Sequence, residues 1–199
     1  MAVLVYPLSA PLEGGSVGSR HAMAVLAAVV VAGAISFLSA TMDPERAGAT
    51  TTTARTCGGG SITLGTTEKR MLVLHNRARK AHGLRTLCVN PKLTRAARSH
   101  SREMIEKDYF SHSSYNGETF QERLARFGYH ESIRGENLAG GSGRYAEPDN
   151  AFQRLMNSPR HRANILDDRY SAVGVGTYTG NYKGFDGYTM YTIDFGVRR

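Results

Sequence analysis

The sequence predicts an α+β domain over residues 67–199, with helices layered on a small antiparallel sheet. Three observations carry this. From residue 67 to residue 156, apolar side chains recur at steps of three and four, the helical repeat. After residue 170 the repeat changes to two, as in strands. Proline and glycine punctuate the chain where helices should start and stop.

The elements follow in order. TEKRMLVLHNRARKAHG, residues 67–83, places Met71, Leu74, His75, Ala78 and His82 on one helical face, and Gly83 is a fitting stop. Residues 84–89 are a short extended link. Asn90-Pro91 opens a second helix, Asn90 as N-cap and Pro91 at the first position, with Leu93, Ala96, Ala97, His100, Met104 and Ile105 as its apolar stripe. After a loop through DYFSHSSYNGE, TFQERLARFG gives a third helix, with Phe120, Leu124 and Phe127 on one side and Gly128 as stop. A fourth begins at Glu147-Pro148 and carries Phe152, Leu155 and Met156. SAVGVGTYTG and GYTMYTIDFGV then read as two strands joined by a turn within residues 181–187. A strand pair alone is marginal, so a third strand is expected from GENLAG.

The N-terminal third reads differently. Residues 22–40, AMAVLAAVVVAGAISFLSA, carry no charge and approach the roughly twenty residues that span a bilayer. The segment is expected to be a signal peptide or a signal-anchor transmembrane helix, preceded by an N-terminal tail at 1–21. Ala47-Gly48-Ala49 fits a small-x-small cleavage site, although it lies far from the apolar run. Residues 41–66, rich in Thr, Gly and Ala, are expected to form a disordered linker. Localisation is therefore expected to be extracytoplasmic, secreted or membrane-anchored. In such a compartment the two cysteines, Cys57 and Cys88, are expected to form a disulfide, the other reading being two independent thiols.

The formal net charge is +8, and from Lys69 to Arg102 there are ten Lys or Arg and no Asp or Glu. A basic exported domain meets envelope lipid, wall polymer or extracellular protein, and the export segment argues against nucleic acid. The alternative is a solvated face that confers solubility.

Three polar groups lie in loops or at element ends: His112 in YFSHSS, Glu136 in RGENLAGG and His161 in NSPRHRANIL. Ser158-Pro159 is a helix start, which puts His161 in a first turn between Arg160 and Arg162. The helix dipole and both cations disfavour imidazolium there, leaving a neutral ring that binds metal or accepts a proton. Two imidazoles and a carboxylate are a ligand set for zinc with an open position, and equally an acid–base set. The spacings match no local motif such as HExxH. A third reading makes the same groups a hydrogen-bonded polar core without a ligand. His75, His82 and His100 are expected at core or boundary positions, and His130 at the surface.

Five pieces of sequence in this order resemble bacterial members of the CAP superfamily, which comprises cysteine-rich secretory, antigen 5 and pathogenesis-related 1 proteins. They are LHNRAR (74–79), YFSH (109–112), GENLAGG (135–141), SPRHRANIL (158–166) and VGVG (173–176). The resemblance implies a three-layer α-β-α sandwich with a central cleft. It also implies a His-Glu-Glu-His tetrad whose histidines hold a divalent metal ion, often zinc. On this chain the tetrad falls on His112, Glu136 and His161, and the remaining Glu falls on Ser158, which is no carboxylate. The resemblance thus implies His112 and His161 as metal ligands. The function expected is a binding module for an amphipathic or anionic ligand or a protein partner. The alternative is a metal-assisted hydrolase with Glu136 as its catalytic acid–base group, weakened by the missing second acid.

Overall fold

A computed structural model describes residues 51–198 of the chain. The tail, the apolar run at 22–40 and the linker up to residue 50 lie outside the described residues. The first half of the domain holds β1 (Thr51–Arg55), β2 (Ser61–Gly65), α1 (Thr66–Ala81), β3 (Cys88–Val89), α2 (Pro91–Glu106) and α3 (Phe120–Arg126). Then come β4 (Arg134–Gly141), α4 (Pro148–Asn157), α5 (Pro159–Ile165), β5 (Ala172–Tyr182) and β6 (Phe185–Gly196).

Local chemistry sets most helix ends. Asn90 Oδ1 accepts the Lys92 and Leu93 N–H groups at 2.9 and 3.4 Å, with Pro91 following it, so α2 starts as expected. Thr119 and Glu122 cap α3 reciprocally: the Glu122 N–H donates to Thr119 Oγ1, and the Thr119 N–H to the Glu122 carboxylate. Gly83 and Gly128, both at positive φ, end the runs of α1 and α3.

The sheet has the order β3-β5-β6-β4; β3 pairs with β5 in parallel and the other pairs are antiparallel. β4 is the third strand expected from GENLAG. Strand alternation divides the sheet's two faces. Val173, Val175, Ile193 and Phe195 point to one face and form a core with Met71, Leu72 and Leu74 of α1 and Phe152 and Leu155 of α4. Gly174 and Gly176 point to the other, where α2 lies directly on the backbone of β5. A Cβ on Gly176 would stand 2.1 Å from the Arg98 nitrogen, so only glycine fits. The result is the three-layer α-β-α sandwich.

Arg79 holds the α1 layer to the connection before β5. Its side chain is fully buried and donates to the carbonyls of Arg85, Ile165, Asp167 and Tyr170 at 2.8–3.0 Å. Asn76 exchanges two hydrogen bonds with the backbone of Leu87. The LHNRAR segment thus ties down two loops by side chain-to-backbone bonds.

The disordered linker expected over residues 41–66 is corrected for residues 51–65, which form the β1–β2 hairpin. Ala54 and Leu64 enter the core, and the Cys57–Cys88 disulfide joins the hairpin to β3. Arg98 of α2 clamps it from the side, forking onto Glu68 at 2.6–2.7 Å and donating to the Thr63 carbonyl. The linker reading counted apolar residues; two well-placed side chains and one covalent bond are sufficient here.

The basic run from Lys69 to Arg102 is not one patch. α1 and α2 lie on opposite faces of the sheet, so their exposed cations diverge. Arg79 is internal, Arg98 is paired with Glu68, and Arg70 with Asp149.

Candidate functional site

β4 is an edge strand, and both helical layers send a loop to it. Its two faces therefore carry side chains toward different partners. Glu136 points to the α2 face, where its side chain is 1% exposed. One carboxylate oxygen accepts from His112 Nδ1 at 2.8 Å, and the other is paired with Arg123 of α3. Arg123 is itself fully buried and donates at 3.1 Å to both the His112 carbonyl and the Ser114 hydroxyl. This one guanidinium fixes the loop and the carboxylate together. Burial works against the charge of Glu136, but the His112 hydrogen bond and the Arg123 cation outweigh it, and the carboxyl lies below its ordinary range. The His112 ring is 53% exposed. With Nδ1–H donated to Glu136, its Nε2 lone pair remains for a ligand.

Asn137 points to the opposite face and binds the α5 layer. Its Nδ2 donates to the His161 carbonyl at 2.9 Å, and Asn164 Nδ2 donates to Asn137 Oδ1 at 2.9 Å and to the Glu136 carbonyl at 3.3 Å. Gly135 is required because the Tyr170 hydroxyl occupies the place of a Cβ, at 2.2 Å. The GEN and HRAN segments are therefore one hydrogen-bonded latch across the strand edge. Farther along β4, Arg154 caps the Gly140 carbonyl, so side chains cover part of this edge.

His161 is half-buried on α5. Its proton affinity is lowered by burial first and then by His112, whose ring is close enough for their charges to interact. The sequence reading gave the same direction from the helix dipole and two cations, whereas burial and His112 act here. Arg160 and Arg162 do not set it, and Arg162 turns away to His82 Nε2, at 3.0 Å. The Ser158 hydroxyl makes no capping bond, so Pro159 alone marks the start of α5. His82, expected at a core or boundary position, is exposed at the end of α1. His75 and His100 are fully buried and His130 is exposed, as expected.

Sequence reasoning missed two members of the site, Arg123 and Asp194. Arg123 sits between the apolar Phe120 and Leu124, which marks an inward position. Asp194 stands opposite Glu136 in the β4–β6 register and is fully buried. Its signal was an acid at an inward position of a period-two strand. Neither of its oxygens has a donor partner among the described residues. Burial, and then the charge of Glu136, push it well above the usual carboxylate range. Among the described residues no group of three His, Cys, Asp or Glu side chains is placed to hold an ion. An ion here would rest on the two imidazoles and complete its shell from solvent or ligand.

Residues 72–195 match the family model of the cysteine-rich secretory protein (CAP) family. The chain belongs to this family. It is 34% identical over 109 residues to YkwD of Bacillus subtilis strain 168, covering 55% of this chain and 41% of YkwD. It is 34% identical over 121 residues to YlbC of the same organism, named a membrane protein, covering 59% and 34%. The chain thus spans less than half the length of these relatives. An extracellular SCP-domain protein from Bacillus anthracis shares the fold with a TM-score of 0.57 and 26% identity, covering 71% of this chain and 47% of that one. An outer surface protein of Borrelia burgdorferi superposes with a TM-score of 0.58 at 20% identity, covering 67% and 93%.

Proposed function

We propose that this protein is an extracytoplasmic binding module whose cleft presents His112 and His161 to a ligand, with a divalent ion such as zinc held between them. The observation that carries the reading is the full engagement of Glu136. Both of its oxygens are occupied, by His112 and Arg123, so it orients a histidine. A carboxylate supporting the far nitrogen of an imidazole is the usual second partner of a metal-binding histidine, and the half-exposed His112 ring suits that role. His161, held toward its neutral form, suits it as well.

Hydrolysis with Glu136 as general base has less support, because this carboxylate is buried, paired with Arg123 and held below its ordinary range, which makes it a weak base. The extracytoplasmic setting draws support from the Cys57–Cys88 disulfide and from the extracellular Bacillus anthracis relative. Candidate partners remain envelope lipid, wall polymer or an extracellular protein. The division of the basic run between two faces favours recognition at the cleft over adhesion through one charged surface.

Zinc titration by calorimetry at pH 7, on the chain from residue 50, tests the reading. Binding at about micromolar or tighter, lost in the His112→Ala/His161→Ala double variant, is the expected result. Equal or absent binding in both proteins would remove the ion from the proposal and leave a metal-free cleft.

A further inference from the structure

Asp194 is a buried acid that the proposed function leaves unused. Burying a lone carboxylate costs several kcal/mol, so an acid kept here needs a donor or a proton. No N–H or O–H group among the described residues reaches its oxygens. What faces it is another carboxyl: Glu136 lies directly across the strand pair, and its charge acts on Asp194. On its other side Gly174 of β5 is pressed onto the Leu93–Thr94 backbone of α2. The charged and titratable groups that face the two acids are Arg123 from α3, His112 from the preceding loop and His100 from α2. His100 is buried, and burial and Arg123 both favour its neutral form. Arg123 already gives its terminal nitrogens to Glu136, the His112 carbonyl and Ser114. Arg123 Nε is buried without a partner among the described residues but does not reach Asp194, and one cation cannot balance two facing buried carboxylates, so the pair needs a proton.

We propose that Asp194 is the second carboxylic acid of this site and acts as a positioning residue: its O–H donates to Glu136, and Glu136 in turn holds His112 with Nδ1–H inward and Nε2 toward the cleft. The site thereby has two acids although Ser158 supplies none. The second comes from strand β6 beneath the first, not from the end of α4. In this arrangement Asp194 never meets a ligand. It fixes the charge and direction of the carboxylate that does the orienting.

The inference rests on His112 being the working end of the cleft, but every readout is taken without metal or ligand, so its failure and that of the binding reading are separately visible. Infrared spectra at pH 7 would show a protonated-carboxyl C=O band in the wild-type protein that is missing from Asp194→Asn. Nitrogen-15 NMR of the histidine rings would show His112 in the Nδ1–H tautomer in the wild type and equally in Asp194→Asn, whose amide still donates to Glu136. Asp194→Val has no donor, and its Nε2–H population at His112 should rise about threefold or more. Infrared spectra of the wild type and Asp194→Asn that match would overturn the proposal, whether or not the valine variant folds. So would a His112 tautomer indifferent to valine, which would leave Asp194 a packing residue.

Discussion

His75 should make the protein lose stability in mild acid, by an amount the structure fixes. Its ring is fully buried, edge-on to Phe152 with centroids 5.1 Å apart and tilted against Phe195 at 5.8 Å. Nδ1 donates to the Met71 carbonyl at 2.8 Å, and Nε2 has no partner among the described residues. Burial holds its proton affinity down to about 4, against 6.5 for a free imidazole. In the unfolded chain the ring takes up a proton as pH falls through 6.5; in the folded chain it resists until about 4. Within that window the unfolded state binds more protons, so stability rises with pH and is lost on acidification. Between pH 7.5 and 4.5 the loss from this one ring is about 2.5 kcal/mol. The perturbation is His75→Leu, close in volume and without a titrating group, at a cost near neutrality of less than about 1.5 kcal/mol. Urea unfolding followed by circular dichroism, at half-unit pH steps, gives both curves. Other titrating groups, Glu136 and Asp194 among them, are present in both proteins and cancel in the difference. Curves that stay parallel to within about 0.5 kcal/mol over that window would refute the reasoning.

Arg123→Met should cost about 3–5 kcal/mol, because it leaves Glu136 buried without its cation. The same variant should broaden the His112 amide resonance, since the loop loses its anchor at the His112 carbonyl; a stable variant with a sharp His112 signal would contradict this. Reduction of the Cys57–Cys88 disulfide, or Cys57→Ser/Cys88→Ser, should lower stability by about 3.7 kcal/mol in the chain-entropy account of a link across 31 residues. Under reduction, hydrogen exchange should speed first in β1 and β2, and unchanged protection there would show that Ala54 and Leu64 hold the hairpin unaided.

Sequence carried the elements whose causes are local. The Asn90-Pro91 start, the stops at Gly83 and Gly128, and the period-two strands are decided within a few residues, and each stands where it was expected. His112, Glu136 and His161 were singled out as polar groups in loops or at element ends, although Glu136 lies within β4 and not at its end. The β1–β2 hairpin was not, since its short strands have little to bury and are held by partners distant in sequence, Arg98 and Cys88 among them. Asp194 and Arg123 were missed because a charge in an inward register reads as an exception until its partner on another element is known. The scattering of the basic run is a matter of topology: consecutive helices landed on opposite faces of one sheet.

The sheet order β3-β5-β6-β4 places the disulfide and Glu136 at opposite edges. A pull on the chain from the side of residue 50 enters at Thr51, runs along β1 to Cys57 and crosses to Cys88 of β3. The load is taken up by a covalent bond and by the hairpin's packing before it reaches β5, and Glu136 and His112 lie two strands farther on. Along the sheet, Glu136 is thus the part of the fold most remote from tension entering at Thr51.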